Sequence, residues 1–118
     1  MSRKICYNIT KGDDLRHKRT KACDISKQVK DKVWERDKHH CIVCGSPYSM
    51  PNAHYIPRSK GGLGIEQNVV TLCMKCHHNY DNGLHKEEKE AIRRKIEAHL
   101  ARLYSNWSID MLKYKKGL

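Results

Sequence analysis

The chain has no phenylalanine, and only 7% of its 118 residues are aromatic and 38% hydrophobic. So little apolar surface builds a lean core, which points to one domain with extensions that benefits from a metal staple. Acidic residues are scarce too: 13 Asp and Glu stand against 24 Lys and Arg, for a formal net charge of +11. That imbalance favours a polyanion as partner, through counterion release and electrostatic steering, with nucleic acid first. No apolar run reads as a signal segment or a membrane span, and no acylation motif is present, so no membrane partner is expected. Internal repeats are absent. So is the aromatic stacking motif of single-stranded RNA readers, which places RNA behind DNA.

What the chain does have is cysteine in pairs. Cys41-Ile-Val-Cys44 and Cys73-Met-Lys-Cys76 are two Cys-x-x-Cys knuckles flanking residues 45–72. Each knuckle offers two thiolates from one side, so together they close a tetrahedral shell around zinc. A closed shell leaves no place for water or substrate, and the metal is expected to be structural, its binding energy appearing as folding energy. Two disulfides are the competing reading, but Cys6 and Cys23 fall in no pattern and nothing marks the chain for export. Intracellular zinc fits better. Zinc with four thiolates removes a net two charges, so the folded chain stays strongly basic.

Residues 1–24 carry Arg3, Lys4, Lys11, Arg16, Lys18, Arg19 and Lys21 with few periodic apolar positions, and read as an irregular basic arm that orders on DNA. Residues 25–118 form the domain proper. Ser26 caps an expected helix over 27–38, with Val29, Val33 and Trp34 on one face. Residues 51–56 read as extended, Pro57 and Gly61-Gly62-Leu63-Gly64 as a loop, and residues 68–72 as a β-branched strand. A short helix from Cys76 should stop at Asn82-Gly83, and a longer one over 86–104 carries Ile92, Ile96, Leu100 and Leu103 on one stripe. Trp107, Ile109, Met111, Leu112 and Tyr114 suggest a terminal helix against the core or a second subunit.

The chemistry lies between the knuckles. His54 sits where a strand gives way to a loop, and His77 follows the second knuckle directly. Zinc draws the two segments together. A strand-end imidazole and a helix-borne imidazole supply a base near neutral pKa and a ligand for a divalent cation, the parts needed for phosphodiester hydrolysis.

In order and spacing, Cys41-x-x-Cys44, His54-Tyr-Ile-Pro57-Arg-Ser-x-Gly61-Gly62, Asn68-Val-Val-x-Leu72 and Cys73-x-x-Cys76-His77 resemble the HNH endonucleases, the ββα-metal nucleases. The resemblance covers about residues 41–81. It implies an α+β fold: a small zinc-stapled ββα-metal (His-Me finger) core with flanking helices at 86–118. By the same resemblance His54 is the general base, Asn68 orients it through amide bonds to the loop backbone, and His77 binds a catalytic Mg2+ or Mn2+, with Zn2+ or Ni2+ as alternatives. Most relatives carry an acidic residue or a histidine just before the base, where this chain has Ala53. Asp81, four residues after His77, shares its helix face and is the candidate second ligand. Arg58 and Lys60 follow the base and are candidates for phosphate contacts.

The expected activity is metal-dependent hydrolysis of DNA phosphodiester bonds. Its alternative is a non-catalytic zinc-knuckle DNA-binding module that has lost a metal ligand at Ala53. The resemblance also implies a cytoplasmic protein of a bacterial host, encoded by a phage or prophage, with a homodimer and phage packaging proteins as candidate partners.

Overall fold

The computed structural model describes the backbone of residues 13–115 and the side chains of residues 18–115. Two antiparallel strands, β1 (Ser49–His54) and β2 (Val69–Cys73), form the sheet. Four helices surround it: α1 (Asp13–Cys23), α2 (Lys27–Arg36), α3 (Met74–Asn82) and α4 (Lys86–Leu103). Short 3-10 turns at Arg58–Lys60 and Ile109–Leu112 complete the order. The two strands and α3 make a ββα unit with flanking helices.

The strand registers run Ser49 to Cys73, Met50 to Leu72, Ala53 to Val70 and His54 to Val69. Pro51 and Asn52 therefore stand opposite Thr71 alone, which is a β-bulge. Proline has no N–H for the ladder, so a bulge is where a strand tolerates it. The Thr71 backbone is satisfied from other directions: Asp37 Oδ2 accepts its N–H at 2.8 Å, and Ile42 N–H donates to its carbonyl at 3.1 Å. All five residues of β2 are buried, because helices and the first knuckle cover both its faces.

Ser26 caps α2, accepting from Val29 N–H at 3.1 Å. The helix ends at Arg36 rather than residue 38, since Lys38 and His39 turn left-handed at φ 61° and 63°. That turn leaves Asp37 facing inward with no side-chain exposure, bonded to Arg36, Thr71 N–H and His99 Nε2. Burial alone would raise this carboxyl. The bonds from His99 and Arg36, the Arg36 charge and the Thr71 N–H outweigh burial and hold it at about 2. Arg36 also donates to the Glu66 and Val69 carbonyls, so this clasp ties α2, β2 and α4 together.

On α4, Ile92, Ile96 and Leu100 form the buried stripe, while Leu103 is exposed at the last turn. Two expectations are corrected. The arm is not irregular where the structure describes it: residues 13–23 are helical, and the end of α1 docks on the domain through Cys23, which is 2% exposed. Tertiary contacts, not an apolar stripe, order it; Arg3, Lys4 and Lys11 lie outside the described residues. The expected terminal helix is instead a strap with one 3-10 turn. Leu112 is fully buried, its carbonyl accepts from Leu63 N–H, and Tyr114 N–H donates to Gly61. Trp107 Nε1 donates to the Gln67 carbonyl, so the segment considered for a subunit interface packs on its own domain. Among the described residues no helix is long and apolar enough to cross a membrane.

Candidate active site

At one end of the hairpin the Sγ atoms of Cys41, Cys44, Cys73 and Cys76 all lie within 4.8 Å of one another, with Cys44 and Cys73 at 3.5 Å. A tetrahedron with zinc–sulfur bonds of ~2.3 Å has edges of ~3.8 Å, so the four atoms fit zinc with small adjustments. Backbone N–H groups already point at the sulfurs: Val43 and Cys44 at Cys41, and Cys76 at Cys73. Burial raises the Cys41 thiol, but these N–H groups and its neighbours outweigh it and bring it to about 7. Cys76 goes the other way, pushed well up by burial and by the neighbouring thiols. Four thiolates so close need a cation among them. The cluster is compatible with the structural zinc site that the knuckle spacing indicates.

At the other end of the hairpin, the pairing of His54 with Val69 brings the last residue of β1 beside a cleft of about 1090 Å³. His54, Arg58, Lys60, His77 and Asp81 all line it. Among the residues the sequence singled out, Ala53 does not: it is fully buried and belongs to the apolar core with Tyr55, Val70 and Leu72. Its methyl group serves packing. Asn68, also fully buried, faces the loop instead of the cleft. Its Oδ1 accepts from Ile56 N–H at 2.8 Å, and its Nδ2 donates to the Ile56 and Leu63 carbonyls at 3.2 and 2.8 Å. Gly62 allows that clasp, since a Cβ there would stand 1.7 Å from the Ile56 carbonyl oxygen.

The His54 ring is half-buried, and its Nε2 lies 2.8 Å from the Cys23 carbonyl. A carbonyl only accepts, so Nε2 carries the hydrogen and, in the neutral ring, Nδ1 keeps the free lone pair. Burial pushes the imidazole below its ordinary value; the Arg58 and His77 charges act the same way, while the Cys23 bond and Asp81 oppose them. The shift favours the neutral ring, and the Cys23 bond leaves Nδ1 as its free nitrogen.

His77 and Asp81 sit one turn apart on α3, with Nε2 and Oδ2 2.9 Å apart and both side chains partly exposed to the cleft. Adjacent donors around an octahedral cation with bonds of ~2.1 Å stand ~3 Å apart, so the pair fits a divalent ion as two neighbouring ligands. Arg58 is less free than its loop position suggests. Its guanidinium pairs with Asp24 at 2.6 Å, while Lys60 is exposed.

Residues 41–83 match the HNH endonuclease family. Anaredoxin from Nostoc sp. (strain PCC 7120 / SAG 25.82 / UTEX 2576) is 41% identical over 58 residues, 48% of this chain and 71% of that protein. The chain belongs to the HNH endonuclease family. No solved structure matches it. Within this HNH chain, the cleft also gathers residues that the motif did not announce: Asp24, Lys30, Asn52, Lys89, Glu90 and Arg93. They come from α2, α4, the bulge and the turn after α1. Only Asn52 carried a local signal, as the neighbour of a strand proline.

Proposed function

We propose that this protein is a metal-dependent DNA endonuclease. The observation that carries the reading is the convergence on one cleft of a base with a defined free nitrogen, His54, and a ligand pair, His77 and Asp81. His54 Nδ1 takes the proton from the attacking water, while Nε2–H stays on the Cys23 carbonyl and keeps the ring aimed. His77 Nε2 and Asp81 Oδ2 hold the divalent cation, Mg2+ or Mn2+ by the family's habit. When bound, that cation neutralises charge on the scissile phosphate and the departing 3'-oxygen. Asn68 holds the loop that carries Arg58 and Lys60, and these, with Lys30, Lys89 and Arg93 around the cleft, meet the DNA backbone. The net charge of +11 supports a polyanionic substrate.

Ala53 favours a second reading, a DNA-binding module without chemistry, because its buried methyl group leaves the cation two protein donors. Plasmid DNA with Mg2+, Mn2+ or Ni2+ separates the two. The parent nicks or linearises the plasmid, and His54→Ala lowers the rate by roughly 100-fold or more, as loss of a general base does. Metal-independent binding with no cleavage by either protein would establish the second reading.

A further inference from the structure

We infer that the C-terminal turn of α1, outside the matched motif, is a positioning element for the general base, and that Gly64 is the residue that lets it dock. This rests on the proposed role of His54. The backbone carbonyl of Cys23 is the hydrogen-bond partner of His54 Nε2, at 2.8 Å. Five further contacts brace this turn and the loop beside it. Gly64 N–H donates to the Ala22 carbonyl at 3.0 Å, and Asp24 N–H closes back on Thr20 at 2.9 Å. Arg58 pairs with Asp24, and Arg19 reaches the Arg58 and Ser59 carbonyls at 3.4 and 3.3 Å. The loop after the base and the end of α1 are thus clamped to each other.

Gly64 fixes how close they come. A Cβ at this position would stand 2.1 Å from the Asp24 carbonyl oxygen and 3.0 Å from that of Cys23. Both are backbone atoms, so a methyl group there displaces the 23–24 and 24–25 peptides and with them the Cys23 carbonyl. Without its carbonyl the ring rotates about χ1 and χ2, and the lone pair of Nδ1 loses its fixed direction. Proton transfer needs that direction, whereas DNA binding does not.

The test reads the His54 ring hydrogen directly, by nitrogen-15 NMR of the zinc-loaded protein without catalytic metal or DNA. In the parent, Nε2–H gives a resolved signal that exchanges slowly with water. Gly64→Ala broadens or removes it, and kcat on plasmid DNA falls about 10- to 100-fold, the scale of a misaimed catalytic group, with KM held within about threefold. Zinc content and thermal unfolding verify that the variant is folded. Asp24→Pro is the second variant: it deletes the N–H bonded to Thr20 and disfavours the helical conformation of Cys23, so it turns the same carbonyl. Asp24→Ala removes only the carboxylate and keeps the slow ring signal. The inference is overturned if the parent's Nε2–H exchanges freely, or if folded Gly64→Ala or Asp24→Pro keeps both the slow signal and parental kcat. A slow signal in a parent that cleaves no DNA leaves the docking geometry standing and rejects the nuclease reading instead.

Discussion

The two ends of one short hairpin are built on opposite principles. At the Ser49–Cys73 end, four sulfurs and their backbone N–H partners make a shell that one cation saturates. The His54–Val69 end, five residues or roughly 16 Å along the strand, carries an open cleft lined by the His77–Asp81 pair and by a His54 ring fixed at one nitrogen. The first end is specified locally, each knuckle by four consecutive residues. The second is specified by distant backbone: the Cys23 carbonyl bonds the His54 ring, and Asn68 holds the loop beside it. Stability can be concentrated in a closed shell, whereas chemistry needs a vacancy that protein groups frame without filling.

Breaking the closed end has the largest expected effect. Apparent binding energies of structural zinc sites run ~10–16 kcal/mol, comparable with or above the whole stability of a domain. Cys41→Ser, or a strong chelator on the parent, is therefore expected to abolish the folded state, read as loss of the cooperative thermal transition. A parent whose melting is unchanged after zinc is stripped would show that the two ends do not differ in this way.

The open end breaks more gently and more selectively. Asn68→Ala deletes three hydrogen bonds and leaves the Ile56 N–H and the Ile56 and Leu63 carbonyls without that partner, at a cost of about 2–4 kcal/mol in zinc-loaded protein. Chemical denaturation measures it. Cleavage should fall further than stability suggests, because the loop carrying Arg58 and Lys60 loosens with it. Equal losses at both ends would mean that the hairpin unfolds as one unit rather than as a closed and an open half.

Legibility in the sequence follows the same division. Cys41, Cys44, Cys73 and Cys76 announce themselves because metal knuckles are local, and the α4 stripe of Ile92, Ile96 and Leu100 because helix periodicity is. His54, Asn68, His77 and Asp81 come into view through motif order, and the structure brings His54, His77 and Asp81 to one cleft with Asn68 behind it. The seat of α1 left no periodic trace: its tie to the site is a main-chain oxygen of Cys23, an atom every residue has. Asp37 is the same kind of case. Nothing beside it in sequence foretells that His99, sixty-two positions on, will bond to it inside the protein. The terminal strap reads as helical in sequence because Trp107, Met111 and Leu112 are apolar at helical spacing, yet beside two local turns its Leu112 carbonyl and Tyr114 N–H bond to Leu63 and Gly61 across the domain.

The smallest effect is a shift along the pH axis, and it separates the two ends by the acid each tolerates. By the proposed mechanism cleavage needs a neutral His54, and the free imidazole has an ordinary value of 6.5. Burial, with the Arg58 and His77 charges, lowers the ring below that value, so protonation sets in only at a more acidic pH and the acid limb of kcat/KM has its midpoint below 6.5. A bound cation beside His77 pushes in the same direction by repelling the imidazolium. Arg58→Gln removes one of the lowering charges and should move the limb slightly back toward neutral. Acid also attacks the cysteine end, because thiolates must stay deprotonated to hold zinc. Zinc retention is therefore followed across the same range with a metal-sensitive dye. A limb that falls with slope one while zinc stays bound belongs to the open end alone; a limb that tracks zinc release, or one centred above 6.5, would mean that His54 is not the group whose protonation stops the reaction.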